Sequence, residues 1–101
     1  MSKIKSISTM NAPAALGPYS QAIRAGGFIY ISGQIPLVPE TMEIVSSDFN
    51  KQVMQVFNNL KAIIEESGAS ISNTVKINVY LKDLSNFQKV NRVMEEFFTE
   101  K

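Results

Sequence analysis

Hydrophobic and polar positions change period along the chain, and each change marks an element. In "NKQVMQVFNNLKAIIEESG", Val53, Val56, Phe57, Leu60, Ile63 and Ile64 recur every three or four residues. That spacing puts them on one face of a helix. Ser47 and Asp48 are its candidate N-caps, and Gly68 stands just past its C-terminus. "TVKINVYLK" then alternates, with Val75, Ile77, Val79 and Leu81 on one side and Lys76, Asn78, Tyr80 and Lys82 on the other. This predicts a strand over 74–82. "DLSNFQKVNRVMEEFFTEK" returns to the helical period, with Phe87, Val90, Met94, Phe97 and Phe98 as the buried stripe. Ser85 and Gln88 have capping-box spacing at its start.

The N-terminal half reads as strands. "KIKSIST" predicts a short or bulged strand, because Ile4 and Ile7 fall on opposite faces. Tyr19 to Arg24 and Phe28 to Gly33 form two extended segments around Ala25-Gly26-Gly27, a hairpin signal. Phe28 and Tyr30 face one way and Ile29 and Ile31 the other, which predicts a strand covered on both faces. Pro36 and Pro39 make 35–45 a loop. The order β-β-β-α-β-α describes an α+β fold with two helices on one face of a sheet. The strand at 74–82 has no evident neighbour in this order, so at least one more strand is expected beside it.

Composition narrows the chemistry. The 101 residues predict one domain over 1–101. A core of that size leaves oligomerisation open. Ten basic and nine acidic residues give a net charge of +1, so neither nucleic acid nor a membrane surface is an expected partner. There is no cysteine and no histidine. Disulfides, thiolate nucleophiles, histidine bases, Ser-His-Asp triads and the usual zinc sites are excluded, and no metal site is expected. No apolar run has transmembrane length and the N-terminus lacks a signal-peptide core, so the expectation is a soluble, cytoplasmic protein, with an organelle left open.

Two glycine motifs hold the remaining interest. In "GPYSQ", Pro18 keeps Gly17 out of the α region. In "SGQIP", Gly33 follows Ser32 at a strand end. Turn chemistry explains both. The alternative is an exposed backbone N–H that approaches a ligand. Tyr19 is either a core tyrosine or a pocket wall. Asn91 lies at the margin of the second helix's apolar stripe, where a solvated asparagine is the plain reading. Arg24 and Arg92, the only arginines, read as surface residues. Glu65-Glu66 and Glu95-Glu96 are helical neighbours that point apart, so neither is an acid/base pair. The residues alone indicate a small α+β domain with a pocket near Tyr19 and Gly33.

Taken in order, "APAALGPYSQA", "ISGQIP", "NLKAIIEESGAS", "VKINVYLKDLSNF", "VN" and "EEFF" resemble the RidA family, also called YjgF, over nearly the whole chain. The resemblance implies the bacterial chorismate mutase-like fold, a mixed sheet with two helices on one face. It implies a homotrimer with clefts at the subunit interfaces. It also implies hydrolysis of reactive enamines and imines, such as 2-aminoacrylate and 2-iminobutanoate, to 2-keto acids and ammonia, with no cofactor. Tyr19, Ser32, Gly33 and Asn91 match the family's substrate-binding positions. Phe97 and Phe98 match an aromatic pair with a packing role. The family's carboxylate-binding arginine and its water-positioning glutamate correspond to strands past residue 101, so no catalytic residue is assigned within the chain. One of those strands lies between the segments at 28–33 and 74–82 in the family. The expectation is therefore a C-terminally incomplete domain; a chain that truly ended here would need a changed fold or strands donated by another chain. Two other functions stand beside the deaminase: a non-catalytic trimer that binds small carboxylates or a protein, and, more weakly, a ribonuclease or translation inhibitor.

Overall fold

Gly26 and Gly27 reverse the chain in a two-residue turn. Both have positive φ, 56° and 83°, the conformation of the hairpin turn whose twist matches its flanking strands. In the computed structural model, which describes residues 4–98, this turn joins β2 (Ala22–Ala25) to β3 (Phe28–Ile31). β1 (Lys5–Ile7) adds to the other edge of β2. The result is an antiparallel sheet in the order β1-β2-β3. The register sets Ile7 opposite Ala22 and Ala22 opposite Ile31, so these residues share the inner face.

The inner face packs on α1 (Phe49–Glu66). Ile7, Ala12, Ala22 and Ile63 form the buried centre of this layer, with Ile29, Ile31 and Ala62 around it. Asp48 caps the helix, its carboxylate accepting the Lys51 N–H at 3.0 Å. At the far end the N–H groups of Gly68 and Ala69 donate to Glu65 O and Ile64 O at 3.0 and 3.2 Å, closing the helix as the sequence predicts.

The second helix, α2 (Phe87–Phe97), packs on α1 rather than directly beside the strands. Val53 and Phe57 meet Val90 and Val93, and Ile77 and Leu81 cover the same cluster. The Phe57 ring lies 5.4 Å from Phe97 and 6.0 Å from Phe98, centroid to centroid. The "FF" pair is thus packing material, as the resemblance implies.

Several expectations are corrected. Residues 74–82 carry no strand pairing among the described residues. The alternation is present, but a ladder needs a neighbouring backbone to take its N–H and C=O groups. Only half of the predicted apolar face is used: Ile77 and Leu81 pack inward, while Val75 and Val79 are exposed. β3 is covered on one face only. Phe28 and Tyr30 are 55% and 63% exposed on the outer face, their rings 6.5 Å apart. The capping box at Ser85 does not form. Asp83 takes the Ser85 N–H at 2.9 Å instead, Leu84–Asn86 makes one 3-10 turn, and α2 starts at Phe87 with Asn86 as an N-cap that makes no side-chain bond. Phe87, the first residue of α2, is exposed rather than part of the stripe. The loop at 35–45 is more ordered than its prolines suggest. Leu37 bridges Ile44, and the buried Asn59 of α1 donates to Leu37 O at 3.0 Å while accepting from Gln55. The predicted helical residues 99–101 lie outside the described residues.

The Ser85 N–H also sets a pH dependence. Hydrogen bonding from that backbone group, then from the Ser85 side chain, holds the Asp83 carboxyl below its usual range. A lowered folded-state pKa favours the turn above the unfolded value and loses that contribution as pH falls through the folded one. Amide exchange at Ser85 is expected to be slowed at neutral pH and to lose that protection below the carboxylate range. A Ser85 amide whose protection is the same in acid as at neutral pH would contradict this.

Candidate functional site

The two glycine motifs meet because β2 and β3 pair. Tyr19 and Ser20 lead into β2, and Ser32 and Gly33 follow β3, so the hairpin sets the two segments side by side. Ser32 N donates to Gln21 O at 3.0 Å and Ser32 Oγ donates to Ser20 O at 2.6 Å. The hydroxyl proton is committed there, which leaves the oxygen's lone pairs as acceptors. Among the described residues no group takes the Gly33 N–H, and apart from its chain neighbours no atom lies within 4 Å of where a Gly33 Cβ would stand. An open backbone donor therefore sits beside an open hydroxyl acceptor.

Tyr19 supplies the adjoining side. It is 54% exposed, so it is a surface wall and not a core tyrosine. Its N–H bonds Gly17 O at 2.9 Å, folding the chain tightly around Pro18. Gly17 has φ 130°, outside the range side-chain-bearing residues adopt readily. The Tyr19 ring edge lies 3.6 Å from the position of a Gly17 Cβ, a distance that alone demands no movement. Gly17→Ala is thus expected to act through backbone strain, lowering stability by about 1–3 kcal/mol. Urea denaturation checks this, and an unchanged midpoint would refute the strained turn.

An open groove of about 750 Å³ runs past Tyr19 and Ser20 toward Thr9, Asn11 and Glu66. Ser32, Gly33 and Asn91 do not line it. Within one chain the predicted residues thus fall into two sets. Tyr19, which precedes β2, and Ser32 and Gly33, which follow β3, lie at the hairpin's open end. Asn91 sits apart, exposed on α2. No charged residue belongs to the first set.

Two residues carry more than the sequence suggested. Arg24, expected at the surface, is partly buried and donates to Ser67 O, tying β2 to the end of α1. Gln21 is almost fully buried and bonds the backbone of residues 9–13. Periodicity gives no signal for it, because its partners are carbonyls of an aperiodic stretch that become buried only in the fold.

Residues 9–101 match the family model described as endoribonuclease L-PSP. The chain is 54% identical over 94 residues to a RutC family protein of Pyrococcus abyssi, covering 93% of this chain and 74% of that protein. It is 48% identical over 96 residues to the 2-iminobutanoate/2-iminopropanoate deaminase of Escherichia coli K12, covering 95% and 74%. Its fold superposes on the crystal structure of Escherichia coli TdcF with bound serine with a TM-score of 0.89 at 39% identity, over 94% of this chain and 74% of that one. The chain thus spans about three quarters of the length of these proteins.

Proposed function

Since the chain belongs to the RidA/YjgF family, the group matched by the endoribonuclease L-PSP model, we propose that it hydrolyses reactive enamines and imines of small 2-amino acids. The products are 2-keto acids and ammonia. The observation that carries this reading is the pairing of an unengaged Gly33 N–H with a Ser32 oxygen free to accept, beside the exposed Tyr19 ring. The 48% identity to a protein named 2-iminobutanoate/2-iminopropanoate deaminase supports it.

The reaction asks for little more than placement and proton transfer. Water oxygen bonds to the C=N carbon and the π pair moves to nitrogen, which takes a proton. The carbinolamine then loses ammonia as the C–N bond breaks and C=O forms. In this reading the Gly33 N–H donates to the substrate, the Ser32 oxygen accepts from the attacking water or the protonated nitrogen, and Tyr19 walls the cleft. Asn91, exposed on α2, reaches that cleft from a neighbouring copy in a homotrimer. The outer sheet face, with Phe28 and Tyr30, is the apolar surface such an assembly would cover. The wall itself has no cation for the substrate carboxylate.

One observation favours a second reading. The similar TdcF was solved with serine bound, which suits a protein that holds a small amino or keto acid without turnover. Ribonuclease chemistry has weaker support, given a net charge of +1 and no histidine.

A coupled assay separates these. Threonine dehydratase generates 2-iminobutanoate, and 2-oxobutanoate release is followed with and without the protein. Release faster than the spontaneous rate is expected, with Tyr19→Ala slowing it. Binding of 2-oxobutanoate without acceleration would replace the deaminase by the binding protein.

A further inference from the structure

We propose that Gln21 is the positioning residue of the Tyr19–Ser32 wall, an inference that rests on that wall being the substrate site. Residues 9–19 contain no helix or strand, and Pro13 and Pro18 have no N–H to offer. Ala12 and Pro13 are nonetheless buried, so their carbonyls need donors from outside the segment. One side chain supplies them. Gln21 Nε2 lies 2.7 Å from Pro13 O, 3.0 Å from Thr9 O and 3.2 Å from Ala12 O. Its Oε1 accepts the Thr9 N–H at 2.6 Å. The residue is 3% exposed, so water does not compete for these bonds.

The main chain of the same residue faces the site. Gln21 O accepts the Ser32 N–H, and Tyr19 lies two residues upstream. The side chain anchors residues 9–13, and the backbone anchors the exit of β3. The turn Gly17-Pro18-Tyr19 is strung between these two attachments. An amide has two hydrogens, here shared among three carbonyls. It cannot rotate or withdraw without leaving several buried acceptors unpaired. Gln21 touches no substrate in this arrangement. It acts by fixing where Tyr19 stands relative to Ser32.

The test labels the chain with 3-fluorotyrosine and assigns the Tyr19 resonance with Tyr19→Phe. Gln21→Met keeps side-chain length and removes every polar contact. The Tyr19 resonance is expected to move or broaden, and 2-oxobutanoate affinity to fall roughly tenfold, the scale of a misplaced binding group. Val53→Ala, which loosens the distant α1–α2 cluster, is the structural comparison and should leave both readouts in place. A folded Gln21→Met with an unmoved Tyr19 resonance and unchanged affinity overturns the proposal, as does an equal response from Val53→Ala. Where Gln21→Met fails to fold, Gln21→Glu keeps the acceptor for Thr9 and loses the donors. The same Tyr19 shift is expected there, and its absence overturns the proposal. In the unmodified chain the Thr9 amide should exchange as slowly as those of β2; fast exchange contradicts the clamp. If the unmodified chain binds no 2-oxobutanoate, the substrate reading fails, while the Tyr19 resonance still decides the positioning role.

Discussion

Phe57→Ala is expected to destabilise the protein by about 3–5 kcal/mol, the range for emptying a buried aromatic site. Phe57 is 3% exposed and is the contact point of three segments. It packs with Val90 and Val93 of α2 in the same cluster as Ile77 and Leu81 of the linking segment, and its ring meets both Phe97 and Phe98. Removing it leaves a cavity that α2 can fill only by shifting along α1. A loss of that size is a large share of the roughly 5–15 kcal/mol that holds ordinary domains together. Urea denaturation followed by circular dichroism measures it. The midpoint should fall sharply, with amides of α2 losing exchange protection more than those of β2. A loss below about 1 kcal/mol, typical of surface substitutions, would mean that the α1–α2 interface is not built as described.

Tyr30→Glu is expected to dissociate the proposed homotrimer. Tyr30 stands on the outer sheet face with Phe28 and opposite Ile23 in the β2–β3 register. An apolar face of this kind is costly to leave in water and ready to be covered. A carboxylate placed in it would have to be buried unpaired on assembly, at a cost of several kcal/mol per site. The inner face is untouched, because alternate residues of β3 point the other way. Light scattering on the eluting protein should therefore give three times the protomer mass for the unmodified protein and one protomer mass for the variant. A variant that keeps the trimer mass would place the contact elsewhere, and an unmodified monomer would remove the intersubunit cleft from the account.

What the sequence made visible followed from periodicity and turn chemistry. The six apolar positions of α1 and the cap at Asp48 needed only spacing and one side chain to read. The hairpin needed only Gly26 and Gly27. Residues 74–82 show the limit of this reasoning. Their alternation is real, but a strand is a relation between two backbones, and the pattern on one says nothing about whether the other is present. Ser85 shows a second limit. Its spacing to Gln88 fits a capping box, yet Asp83 competes for the same N–H, and the helix begins one residue later than that box would start it. The candidate wall was legible in part. Glycine and proline pointed to the ends of β2 and β3, and the hairpin bonds Ser32 to Ser20, the residue after Tyr19. Gln21 was not singled out, because its partners are carbonyls of an aperiodic stretch whose burial becomes evident only when the chain is folded.

Ligand is expected to sit at the hairpin end that carries Tyr19, Ser32 and Gly33. Titrating 2-oxobutanoate into the isotopically labelled protein and following backbone amide shifts tests it most directly. The Gly33 N–H should move first and furthest, with Ser32 and Tyr19 following on the same binding curve and the amides of Thr9 and β1 unaffected. Shifts centred on Thr9, Asn11 and Glu66, with Gly33 unmoved, would place the ligand in the neighbouring groove and contradict it.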